Sequence, residues 1–178
     1  ATYAAPQIDV LFPGENRSIL WLNNEGPGDR IITRNFQSAI GEKGSTMEEL
    51  VKLNVPDGTK YKTAIRSAYA KALGGRPGVL RVFDIHGYSS GEVENLIRKY
   101  NPALVIFDMV DNISFAGTTM NNGQRTDQLL ESMYQWARFM GVKYDTAVIA
   151  TSQISGDGDG LQWPTLTMLK DSKTGKQG

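Results

Sequence analysis

The chain has no cysteine and one histidine in 178 residues. The first absence excludes disulfides and thiolate metal sites. His86, with no second histidine or cysteine, cannot form a typical zinc site and reads as a loop residue after Asp84-Ile85. No apolar run approaches the roughly 20 residues that a membrane span needs. Nor does one sign of charge prevail: 19 basic and 19 acidic residues cancel, so nucleic-acid or membrane binding must come from a local patch. These absences point to a cytosolic setting without a membrane partner. A phosphate-cradling loop is missing too. The Gly175-Lys176 pair would need glycine at Lys170 and a hydroxyl residue at Gln177 to complete GxxxxGK[ST]. Asp157 and Asp159 have the spacing of a calcium loop, but Met168 stands where the later acidic ligand belongs, so this stretch reads as a flexible loop.

With 40% hydrophobic residues the chain can bury one ordinary core, and its length fits one domain. Ala1-Thr-Tyr-Ala-Ala-Pro lacks an initiator Met and the build of a signal peptide, and Lys173-Thr-Gly-Lys-Gln-Gly178 stops in mid-loop. The expectation is a fragment of a longer protein.

Three apolar strands end on polar groups. Leu104-Val-Ile-Phe-Asp108 stops at a carboxylate, Ser18-Ile-Leu-Trp-Leu-Asn-Asn-Glu25 at a second, and Ala147-Val-Ile-Ala-Thr-Ser-Gln153 at an amide. A further strand, Val79 to Phe83, ends at Asp84. Helical patterns fall between them. Residues 1 to 8 read as the end of a helix, and Ile31, Ile32, Phe36, Ala39 and Ile40 share one helical face behind Pro27. Thr46 to Leu53 and Tyr61 to Leu73 read as helices, the first opened by a capping-box spacing. Ser89-Ser-Gly-Glu92 repeats that spacing before a helix ending at Asn101-Pro102. Leu129 to Met140 carries the strongest amphipathic pattern. Strand and helix alternate, the mark of an α/β fold with a largely parallel sheet and helices on both faces. In such a fold ligands bind at the C-terminal ends of the strands.

At that edge Asp108 is a candidate magnesium ligand, since the ion prefers oxygen and retains waters. Its alternative role is to cap a loop. Asp111 lies past the strand end and is the weaker ligand candidate. Glu25, at a strand end before a helix, suits a general base for water attack on a phosphate, or else supports the helix N-terminus. Gln153 suits a γ-phosphate sensor through its amide, or is a polar strand end. Lys170, Lys173 and Lys176, among hydroxyl and glycine residues, suit phosphate contacts with nucleic acid, or form a solvated tail.

Taken in order, these segments resemble the RecA-like P-loop NTPase domain of DnaB-type hexameric replicative helicases and of bacteriophage primase-helicases. The resemblance runs from about Ser18 to the last residue. Leu22-Asn-Asn-Glu25-Gly is similar to the segment with the catalytic glutamate, and Arg34 matches an arginine in the helix that follows it. Leu104 to Asp108 is similar to the Walker B strand, and Thr151-Ser-Gln153 to the glutamine sensor. Residues 155 to 163 correspond to a loop facing DNA in the ring channel, and Lys170 through Gly178 to the next DNA-proximal motif.

The resemblance implies a single domain over 1–178, incomplete at both ends, with ATP and Mg²⁺ as cofactors. It implies coupling of ATP hydrolysis to translocation on single-stranded DNA and duplex unwinding, in a homo-hexameric ring of the phage or bacterial replication machinery, with primase as a further partner. Glu25 would polarise water, Asp108 would hold Mg²⁺, and Gln153 would sense the γ-phosphate. The Walker A loop would precede residue 1 and the arginine finger would follow residue 178, so the chain alone is expected to hydrolyse ATP poorly. The channel loop holds Asp157 and Asp159 and no lysine, which shifts DNA contact to Lys170, Lys173 and Lys176. The competing readings are a RecA-like recombination or regulatory ATPase and a non-catalytic α/β assembly module.

Overall fold

Six consecutive residues of one strand, Pro102 to Phe107, are all buried, which requires a sheet covered on both faces. The computed structural model describes residues 1–40, 59–115, 126–152 and 162–163. The elements, in chain order, are α1 (Ala5–Leu11), β1 (Ser18–Asn23), α2 (Gly28–Ile40), α3 (Thr59–Ala72), β2 (Leu80–Asp84), α4 (Ser90–Tyr100), β3 (Pro102–Asp108), α5 (Thr126–Lys143) and β4 (Ala147–Ala150). All strand pairs are parallel, in the order β2-β1-β3-β4. The α/β reading, with helices on both faces, therefore holds.

Alternation along the strands divides the core in two. Leu20, Leu22, Val105 and Phe107 point to one face, where Val93 and Ile97 of α4 and Met133, Ala137 and Met140 of α5 cover them. Ile19, Leu104 and Ile106 point to the other, under Ala5 and Ile8 of α1 and Leu73 after α3. Each fully buried Leu, Ile or Phe in these layers contributes about 1.5–3 kcal/mol relative to its exposed state.

Local signals account for the helix ends. Ser89 Oγ accepts from Glu92 N at 3.3 Å, and Glu92 Oε2 accepts from Ser89 N at 2.8 Å, which completes the expected capping box of α4. The helix stops at Asn101, which takes the left-handed conformation at φ 41° before Pro102. Gly74, at φ 71°, follows α3, and a Cβ there would lie 3.1 Å from Pro6 Cα. α1 thus packs against that turn as closely as glycine permits.

Some expectations shift. The first helix covers Ala5–Leu11 rather than residues 1 to 8. Val79 belongs to a 3-10 turn with Pro77, and β2 begins at Leu80. Ile31 is buried but Ile32 is 43% exposed: the two point about 100° apart around the helix, and of the pair only Ile31 faces the core. β4 ends at Ala150, before Thr151-Ser152, and Gln153 lies outside the described residues. The expected helix at Thr46 to Leu53 lies outside the described residues.

At the N-terminal edge of the sheet Arg17 acts as a staple. It is 3% exposed and donates to Pro102 O at 2.9 Å, to Tyr144 O at 3.3 Å and to both the carbonyl and the carboxylate of Asp145. Its guanidinium also lies over the Phe12 ring, 4.3 Å from the centroid. These contacts join the starts of β1, β3 and β4. Among the described residues no helix is long and apolar enough to cross a membrane.

Candidate functional site

The strand order sets where a ligand can sit. From β1 the chain passes to β2 on one side and then to β3 on the other, so the connections diverge between β1 and β3. A crevice opens outside the C-terminal ends of such a pair. The register places Asn23 level with both Asp84 and Asp108, so three strand ends deliver polar groups along one line.

A cleft of about 330 Å³ lies there, lined by Asn23, Glu25, Arg30, Ile31, Arg34 and Asp108 among others. Two expected site residues, Glu25 and Asp108, thus line one cavity, with two guanidinium groups from α2. Arg30 and Arg34 are one turn apart, on one face of the helix. Larger concavities of about 490 and 520 Å³ flank β4, but their linings are mainly apolar, with one charged residue each, Arg138 and Asp145. The charged groups that suit phosphate chemistry converge in the smaller cleft.

Asp108 is half-buried and tightly oriented. Trp21 Nε1 donates to its Oδ2 at 3.1 Å, and Thr151 Oγ1 donates to its Oδ1 at 3.1 Å. Thr151 N also donates to Phe107 O at 3.0 Å, which carries the β3–β4 pairing one residue beyond the strand. The Asp108–Met109 peptide is cis. Asp111 sits in a 3-10 turn beyond β3, where its Oδ2 accepts from Ser152 Oγ at 2.7 Å. Nearby, burial raises the Tyr134 phenol above its ordinary range.

Glu25 is exposed in the loop between β1 and α2. It takes part in no hydrogen bond or ion pair among the described residues. The amide at the start of α2, Gly28 N, donates to Asp84 Oδ2 at 3.2 Å, so Asp84 meets the role otherwise open to Glu25 at this helix end. Asn24 N donates to Asp108 O, and Asn112 Nδ2 donates to Asn24 O at 3.0 Å. On the far side of Glu25, the Gly26 carbonyl accepts from Asn23 Nδ2 and lies 3.1 Å from His86 Nε2. His86 is therefore a loop residue with a contact.

Gln153, Lys170, Lys173 and Lys176 lie outside the described residues, as do Asp157 and Asp159. Among the described residues no group of three or more His, Cys, Asp or Glu could hold a metal ion. Sequence reasoning did not find Trp21 or Arg30. Trp21 faces Ile106 across the β1–β3 pair and reaches diagonally to Asp108, a relation visible only once the register is known. The spacing of Arg30 to Arg34 was readable as a shared helix face.

No protein-family model and no curated protein sequence matches the chain. Among solved structures, it is similar to a DnaB-like replicative helicase whose structure and interactions with primase were described together. The match has a TM-score of 0.59 at 18% identity and covers 88% of this chain and 37% of that one. The chain therefore spans well under half of that helicase's length. The likeness is one of fold: a parallel α/β core shared with part of a DnaB-like replicative helicase.

Proposed function

We propose that the chain is the central part of the ATPase domain of a replicative DNA helicase of the DnaB type, within a longer protein that supplies a phosphate-binding loop and an arginine finger. The observation that carries this reading is the meeting of Glu25 and Asp108 in one cleft at the divergence of β1 and β3, faced by Arg30 and Arg34. Phosphoryl transfer asks a protein for positioning and charge stabilisation more than for covalent chemistry, and this cleft offers both signs of charge.

Glu25, exposed and without a partner among the described residues, would orient and deprotonate a water attacking the γ-phosphate. Arg30 and Arg34 would hold phosphate oxygens. The donor set at Asp108 suits Mg²⁺, because this ion is commonly bound by one or two carboxylates together with substrate phosphates and waters. When bound, it would neutralise charge on the phosphates. Trp21 and Thr151 orient the Asp108 carboxylate, one at each oxygen.

Gln153, two residues after Thr151, would sense the γ-phosphate and pass its loss to the segments beyond. Phosphate-dependent release of a loop is a known form of switch. Lys170, Lys173 and Lys176 would hold the backbone of single-stranded DNA, the partner through which hydrolysis drives translocation. The assembly would be a cytoplasmic homo-hexameric ring, with primase as a further partner.

The test is ATP hydrolysis by the full-length protein with and without single-stranded DNA. Glu25→Gln should lower turnover by about 10²- to 10⁴-fold, the usual scale for a general base, while ATP binding persists. Absence of ATP binding in the intact protein would instead favour a non-catalytic α/β module.

A further inference from the structure

The backbone on both sides of Glu25 is held, while its side chain is left without a partner among the described residues. Asn23 is the centre of this arrangement. It is 1% exposed, and its Nδ2 donates to Asp84 Oδ1 at 2.6 Å and to the Gly26 carbonyl. The second oxygen of Asp84 accepts from Gly28 N at 3.2 Å. One carboxylate on β2 thus ties down the last residue of β1, the residue after Glu25 through Asn23, and the first residue of α2.

We infer that Asp84 is a positioning residue for Glu25, acting through Asn23 and Gly28. The inference rests on the ATPase reading above. Both Asp84 oxygens accept from N–H donors, an arrangement that suits the two acceptors of a carboxylate. An asparagine there would turn an N–H toward one of them. Gly28 is matched to the same geometry, because a Cβ at that position would lie 2.6 Å from Asp84 Oδ1. A side chain at 28 would displace the carboxylate without removing it. Free of its anchor, the loop from Asn24 to Pro27 would sample positions in which Glu25 no longer meets the attacking water. Misplacement of a reacting group by about 1 Å can cost as much as 10²-fold in rate.

Asp84→Ala, Asp84→Asn and Gly28→Ala in the full-length protein test this in two ways. The first measure is turnover against nucleotide affinity. Each variant should lower kcat by about ten- to a hundredfold and leave the dissociation constant for ATP within about twofold. Adding Asp84→Ala to Glu25→Gln should lower turnover no further, because the anchor acts only through that carboxylate. The second measure is amide hydrogen exchange over residues 24–28, which should speed up in all three variants whether or not ATP is present. Unchanged exchange, or a double variant whose losses multiply, overturns the inference. Wild-type turnover in Glu25→Gln overturns the general-base role of Glu25, and absence of ATP binding in the intact protein overturns the ATPase reading; faster exchange in Asp84→Ala would then support the anchor separately.

Discussion

Trp21 Nε1 donates a hydrogen bond to Asp108 Oδ2 at 3.1 Å, so an indole from the central strand orients the carboxylate of its neighbour. The bond crosses from β1 to β3 at the point where the sheet's connections diverge. Trp21→Phe keeps most of the packing and deletes the donor. Urea unfolding should show a loss of about 1.5 kcal/mol, as expected for a hydrogen bond to a charged group. The Mg²⁺ dependence of nucleotide binding in the full-length protein should weaken in parallel, and Thr151→Val should act in the same direction through the other oxygen.

Arg17 has the opposite location and a purely structural role. Its guanidinium bonds carbonyls at Pro102, Tyr144 and Asp145 from a buried position. Arg17→Met would leave those carbonyls without their charged donor and lower stability by about 2–4 kcal/mol in urea unfolding. ATP turnover by the folded fraction should match wild type, because the staple lies at the other end of the strands from the cleft.

The capping box of α4 can be tested alone. Ser89→Ala removes the acceptor for Glu92 N and should cost about 0.5–2 kcal/mol in thermal or urea unfolding. Asn and Asp at position 89 should retain most of that stability, since both are good N-caps.

Acid should loosen the same helix. Hydrogen bonds from the Ser89 backbone and then its side chain hold the Glu92 carboxyl below its ordinary value. Bonds from Lys143 and then Tyr144 do the same for Glu94, with Lys143 Nζ at 2.5 Å. For both carboxyls the stabilisation is present above the unfolded pKa and is lost as pH falls through the lower, folded one. Lys143 is shifted upward by Glu94, so its share is complete below its unfolded pKa and is lost as pH rises through the folded value. Carboxyl carbon shifts followed by NMR should titrate below the usual glutamate range at 92 and 94. Glu94→Gln should return Lys143 toward its ordinary pKa.

Much of the fold was legible because its signals are local. The capping box at Ser89, the stop at Asn101-Pro102 and the apolar strands to Asn23, Asp84 and Asp108 each depend on a few adjacent residues. The site was legible in part. Glu25 and Asp108 stood out as strand-end carboxylates, yet their meeting in one cleft depends on strand order, which adjacent residues do not encode. Trp21 appeared only as one member of an apolar strand, since its bond to Asp108 exists only in the β1–β3 register. Asp84 was noted as a strand end, but its hold on Asn23 and Gly28 required β2 to pair with β1. Ile32 shows the reverse error, an apolar residue assigned inward that helix geometry turns outward.

The most direct test is a structure of the full-length protein with Mg²⁺ and a non-hydrolysable ATP analogue. The account predicts the γ-phosphate at the cleft between the ends of β1 and β3, with Glu25 facing it across a water and Arg30 or Arg34 on its oxygens. A nucleotide bound elsewhere, with this cleft empty, would contradict it.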